Sequence, residues 1–249
     1  MVSGKYAALA GAISREQAIA NISNNMANIT TSGYKKSMVS FESLLNSQKQ
    51  TTRATGINYD RIRANFSDFS PGALRQTENP LDVAIQGKGF FKVQGPDSVL
   101  YTRRGDFAVD GGGRLTTSNG LAVLDDANSP ITIPNTDTSK IAIGDDGTIY
   151  TLGPRGTRAE VAKLAVVNID DPFQLQRQPD TTFSLKEGGQ EIANIDSRVV
   201  QGNLELSNVN MAEELTKMID SHRLFETYHK LLKSYAAIEE QQEELGTLG

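Results

Sequence analysis

Residues 207–249 read SNVNMAEELTKMIDSHRLFETYHKLLKSYAAIEEQQEELGTLG. The segment has no proline, and no glycine before Gly246, so nothing in it breaks a helix. Asn210 stands where an N-cap belongs, and Glu213, three residues on, makes a box-like partner. Downstream, apolar residues recur at heptad spacing in two registers. Met211, Leu215, Met218 and Phe225 form one, with His222 in the same register. Leu224, Tyr228, Leu231, Tyr235, Ile238 and Leu245 form the other, interrupted at Gln242. Two seams on one helix require more than one helical neighbour.

Upstream, from about Ile57 to Leu206, the period changes to two. Leu81, Val83 and Ile85 alternate with polar or small residues, and GKGFFKV, LYTRRGDFAV, RLTT and LAVL are short strand candidates. GPDS, DGGG and TSNG between them are turn signals. IAIGDDGTIY reads as a hairpin around Asp146–Gly147, and VAKLAVVNI is the longest continuous strand-like run. Turns at such short spacing predict an antiparallel β domain.

At the other end, residues 3–30 carry Tyr6, Leu9, Ile13, Ile19, Ile22, Met26 and Ile29 at roughly helical spacing, broadened by alanines. TTSG then stops the helix, with Gly33 suited to the left-handed backbone of a helix end. Phe41, Leu44 and Leu45 make a short apolar cluster, and NSQKQTTRATG after it reads as a loop. The layout is therefore helix, β body, helix. Two long terminal helices cannot bury two seams by pairing with each other alone. The simplest missing partners are copies or relatives of the same chain.

Composition narrows the function. The chain has 249 residues, 25 basic and 30 acidic, and the net charge of -5 argues against nucleic-acid binding. A hydrophobic content of 38% with 22 glycines points to a modest, turn-rich core. There is no cysteine, hence no disulfide framework or thiol chemistry. No apolar run approaches the ~20 residues that span a bilayer, so no membrane insertion is expected. The N-terminal YAALAGAIS is too short, and too soon followed by Arg15 and Glu16, to read as a cleavable signal.

Asn21, Asn24 and Asn28 share a helix face, with Asn25 adjoining. Asn is a mediocre helix former. The group is either a solvated face beside a helix stop or an amide surface that fixes the register of packed helices. His222 and His229 are seven apart, where a chelating helical pair is usually four apart, so they read as seam or edge packing and no metal is expected. GKGFF has a GxG but leads into a strand, which makes phosphate binding a weak reading. GDDG and DGGG lack the alternating acids of a calcium loop and read as turns. Neither GxSxG nor HExxH occurs. No catalytic residue or cofactor is expected, and the closing EEQQEEL reads as a solvated face.

NNMANITTSGYKKSMVSFESLL resembles the N-terminal signature of flagellar basal-body rod and hook proteins, built around A-N-N-L-A-N-x-x-T-x-G-F-K, with Met26 for the usual leucine and Tyr34 for the usual phenylalanine. FSPGALRQTENPLDVAIQGKGFFKV, YTRRGDFAVDGGGRL and SNVNMAEELTKMIDSHRLFE match the family's other hallmarks in order. The YAALAGAISR opening and the lack of a long insertion are more similar to the proximal-rod members than to the distal-rod or hook members. The resemblance implies a structural, non-enzymatic rod subunit that transmits torque. It implies an inner tube of terminal helices shared with neighbouring subunits and an outer β body. It also implies passage through the flagellar export apparatus without a cleaved signal peptide, and assembly in the periplasm with copies of itself and other rod proteins.

The expected fold is α+β: an antiparallel β body with long terminal helices forming a coiled-coil-like helical domain. The expected divisions are an N-terminal helix at 1–33, a connecting segment at 34–76, a β-rich outer domain at 77–206 and a C-terminal helix at 207–249. The expected subunit interface comprises Ile19, Ile22, Asn24, Asn25, Met26, Asn28, Met211, Leu215, Met218, Phe225, Leu224, Tyr228, Leu231, Tyr235 and Ile238. The rivals are a distal-rod subunit, a secreted β-domain hydrolase or glycan binder, and a coiled-coil adaptor. The absence of tryptophan and the few aromatics in the β region weigh against a sugar site.

Overall fold

A computed structural model of the chain describes residues 2–45, 58–134, 141–153, 157–193 and 197–247. It is an α+β protein that separates into two compact units. One comprises Met1–Ala27, Ser37–Phe66 and Asn210–Gly249, and the other Asn28–Lys36 and Ser67–Val209. Residues 34–76 contribute to both units.

The helical unit contains α1 (Val2–Ala27), α2 (Met211–Thr247) and a two-stranded sheet of β1 (Ser37–Leu45) and β2 (Asn58–Ser67). The apolar cluster at 41–45 is therefore strand, and the segment read as a loop, residues 46–56, lies outside the described residues. α1 and α2 pack against each other. Their numbering runs in opposite directions along the contact: Gly4 meets Tyr235, Gly11 meets Tyr228, and Asn25 meets Glu214. The pair is antiparallel.

α2 begins as its sequence dictates. The Asn210 side-chain oxygen accepts from the Ala212 and Glu213 amides at 3.0 and 3.4 Å, satisfying two donors that the first turn leaves open. Glu213 and Glu214 lie in that turn, where the helix dipole favours negative charge.

In the β unit every described strand pair for which a register is given is antiparallel. A six-stranded sheet runs in the order Leu175–Arg177, Thr182–Leu185, Val99–Thr102, Phe90–Gln94, Val166–Ile169, Glu191–Ala193. A three-stranded sheet holds Arg158–Lys163, Thr148–Leu152 and Ile141–Ile143. The hairpin expected at Asp146–Gly147 joins the last two, with Gly147 at φ 84° as that turn requires.

Leu81, Val83 and Ile85 point into the main core with Phe91, Val93 and Phe107. A second cluster gathers Phe90, Tyr101, Ile169, Leu175 and Phe183. The run 161–169 is not one strand. It breaks at Leu164 and Ala165, both 1% exposed, where the chain leaves the three-stranded sheet for the six-stranded one. A strand buried on both faces at a crossing has no alternation to mark the switch.

Candidate assembly surface

From Met211 to Gln242 the residues of α2 that escape full exposure are Glu214, Met218, Ser221, Phe225, Tyr228, Leu232, Tyr235 and Glu239. They alternate by four and three, a single stripe against α1. The facing surface of α1 is made of small residues. Ala8, Ala12 and Ala18 are buried, and Gly4 and Gly11 give way to the two tyrosines. A Cβ added at Gly11 would lie 2.5 Å from Tyr228 Cζ, and one at Gly4 2.6 Å from Tyr235 Oη. The phenol rings fill notches that only glycine leaves.

This arrangement corrects the reading of both helices. Tyr6, Leu9 and Ile13 look like the packing stripe of α1, yet they are exposed, on the side away from the buried alanines. Bulky side chains on α2 need small ones opposite, so the alanine and glycine face packs inside the subunit. On α2 the two seams do not separate into one internal and one external. α1 lies between them and takes the inner members of each: Met218 and Phe225 from one, Tyr228 and Tyr235 from the other. The outer members Met211, Leu215, Leu224, Leu231 and Ile238 remain exposed, with Ile219 beside them.

Asn25 is used inside the subunit, where it is 1% exposed. Its side-chain oxygen accepts from the Ser37 amide at 2.9 Å. Its nitrogen donates to the Ser37 carbonyl at 2.9 Å and to the buried Glu214 carboxylate at 3.0 Å. The amide thus mimics a strand and starts β1 while fixing the register of the helix pair. Asn21 joins through Ser37 Oγ at 3.3 Å. Ile22 is buried, Ile19, Met26 and Asn28 are half-buried, and Asn24 is exposed. Asn28 serves the helix stop, accepting from the Thr31 amide and hydroxyl at 3.3 and 3.2 Å.

The β unit contains a buried ion cluster that sequence reading missed. Glu205 accepts from Lys35 Nζ at 2.6 Å, the Gly72 amide at 2.9 Å and Arg103 Nη1 at 3.2 Å. The three charged side chains are 1–4% exposed. Lys35 also donates to the Ser70 carbonyl, and Arg103 to those of Ile85 and Gly87. Burial lowers the pKa of Lys35 and of Arg103, and Glu205 opposes this in both. Within this unit the cluster joins the segment that follows α1 to the one that precedes α2. The Gly33 amide bonds the Glu205 carbonyl at 2.8 Å, and the Lys36 amide bonds Asn208 Oδ1 at 2.7 Å. Gly33, at φ 66°, admits no side chain, since a Cβ would fall 2.4 Å from the Arg104 nitrogen. One signal was available: an acid between two leucines in a strand, Leu204–Glu205–Leu206.

The His229 ring stands edge-on to Phe225, 4.6 Å between centroids, and His222 is exposed. Among the described residues no group of three or more His, Cys, Asp or Glu is placed to hold a metal ion.

Two family models match the chain. The flagellar hook protein FlgE/F/G D1 domain covers residues 84–151, and the flagellar basal body rod FlgEFG protein C-terminal model covers residues 200–241. The second spans Glu205, the Asn210 cap and most of α2. The flagellar basal-body rod protein FlgG of Buchnera aphidicola subsp. Schizaphis graminum is 33% identical over 233 residues, covering 86% of this chain and 88% of its own. The chain belongs to the flagellar basal-body rod protein family. FlgF of Rhizobium meliloti is 29% identical over 248 residues, covering 99% of both chains. FlgG of Bacillus subtilis is 29% identical over 250 residues, covering 93% of this chain and 94% of its own. The protein is accordingly a structural rod protein of the flagellar basal body, not an enzyme, and assembles with other basal-body components.

Proposed function

We propose that this rod protein polymerises through its terminal helices, which form a coiled-coil-like inner layer with copies of itself and with neighbouring rod proteins. The exposed apolar residues of α2 carry the reading. Leu224, Leu231 and Ile238 recur every seven residues on a helix whose inner face is already occupied by α1. Such a stripe is covered when a further helix lies along it. The outer members of both seams, with the half-buried Ile19 and Met26, are then the residues that face neighbours.

The β unit serves as the outer body, and its buried ion cluster makes the segments next to both helices one rigid piece that transmits torque. The chain reaches the periplasm through the flagellar export apparatus. Among the described residues no helix is long and apolar enough to cross a membrane.

The proximal rod is the favoured place, on the end-to-end match to a FlgF, which covers 99% of both chains. The distal rod is the second reading, favoured by the higher identity to a FlgG. An electron-microscopy map of isolated basal bodies, with the chain fitted by side-chain density, tests both. Density for α1 and α2 in the inner layer of the proximal rod is expected. Helices facing solvent with the β unit making the contacts would overturn the proposal.

A further inference from the structure

The two helices differ in charge and in what they leave uncovered. α1 carries two cations and one anion over 26 residues, whereas α2 carries four cations and eight anions over 37. On α1, Tyr6, Leu9 and Ile13 are 57%, 44% and 46% exposed. On α2, Leu224, Leu231 and Ile238 are 43%, 43% and 40% exposed. Tyr6 and Ile13 are seven apart, the repeat that the α2 stripe keeps throughout.

We propose that the Tyr6–Leu9–Ile13 face of α1 docks onto the Leu224–Leu231–Ile238 stripe of α2 in a second copy of the chain. This rests on the reading that the terminal helices are the polymerising elements, and it names which face meets which. A helix with three charges in 26 residues and apolar groups on opposite sides is built to be enclosed on more than one side. The Lys5–Glu239 ion pair at 2.6 Å is spent inside the subunit. Of the remaining charges α1 keeps Arg15 against Glu16 and is neutral, whereas α2 keeps four cations against seven anions, so α2 on α2 repels and α1 on α2 does not. Both halves of the contact lie on different faces of one chain. The contact is therefore heterologous and repeats into an open filament, as two-fold pairing would not.

The natural chain has no cysteine, which makes a cross-linking test clean. Two differently tagged full-length copies are expressed together, one with Leu9→Cys and the other with Leu224→Cys, Leu231→Cys or Ile238→Cys in turn. Basal bodies are then treated with a short bismaleimide. Mixed dimers bearing both tags, at least tenfold above like-tagged ones, are expected for one or more of the three pairs. Like-tagged Leu9→Cys dimers, adducts only to other rod proteins, or completed rods without mixed dimers would overturn the pairing. If Leu9→Cys blocks rod completion, Ala10→Cys replaces it on the neighbouring position. Normal motility in a Leu231→Asp strain would instead remove the underlying helix-polymerisation reading.

Discussion

Glu205→Gln keeps the shape of the side chain and removes one charge. In the parent, that charge sits between Lys35 and Arg103, all three nearly inaccessible to water. In the variant both cations stay buried with main-chain carbonyls as their remaining strong acceptors: Ser70 for Lys35, and Ile85 and Gly87 for Arg103. Removing one partner of a buried pair costs about 3–5 kcal/mol, because the other charge is left uncompensated. A surface pair would cost ~0–1 kcal/mol. With a urea slope of ~1–3 kcal/mol/M, the unfolding midpoint of the β unit should fall by roughly 1–5 M.

The pH dependence has a definite sign. Burial already lowers the Lys35 pKa, and the carboxylate opposes it; without the carboxylate the pKa falls further. A lysine with a folded pKa below its unfolded value of ~10.4 penalises the fold while protonated in both states. The penalty is relieved as pH rises through the folded value. The variant should therefore regain part of its loss between neutral pH and about pH 10. Lys35→Met should cost less than Glu205→Gln, because Glu205 would keep Arg103 and the Gly72 amide. Urea melts followed by near-ultraviolet circular dichroism measure all of this. An unchanged midpoint for Glu205→Gln would refute the reasoning.

Two further substitutions probe opposite signs. Gly11→Ala gains ~1 kcal/mol of helix propensity, yet its Cβ would sit 2.5 Å from Tyr228 Cζ. Helix pairing, read as loss of rod assembly and of helical circular dichroism, should weaken, and Tyr228→Leu in the same chain should restore it. Asp180 and Thr181 both stand at φ 60° in the turn before Thr182–Leu185, a conformation costly for a β-branched residue. Thr181→Gly should raise the melting temperature by ~2–4 °C, since the Thr102 hydroxyl bonds the main-chain oxygen there and is untouched. A lower melting temperature would contradict that account.

Much of the architecture was legible in the sequence because its signals are local. The Asn210 cap, the Asp146–Gly147 hairpin and the change of period at either end of the β region each follow from a few adjacent residues. What was not legible depends on partners distant in sequence. Nothing in the first helix says that its alanine and glycine face, rather than Tyr6, Leu9 and Ile13, meets α2; that follows only once Tyr228 and Tyr235 are set against Gly11 and Gly4. Asn25 reads as part of a polar face, but its partners are Ser37 and Glu214, the latter 189 residues away. The Glu205 cluster joins three motifs through which the family resemblance runs, and no one of them announces the contact. The strand break at Leu164–Ala165 is hidden for the opposite reason, since burial on both faces erases the alternation.

The most direct test of the central claim is rod completion, read as motility, in cells whose only copy carries Leu231→Asp. In the free subunit this side chain is 43% exposed and outside the β unit, so purified variant should melt with an unchanged β unit. In the rod the same position would bury a leucine worth roughly 1.5–3 kcal/mol. An unpaired carboxylate there adds several kcal/mol of desolvation, repeated at every subunit. The account predicts a normally folded β unit and no completed rod; normal motility would contradict it.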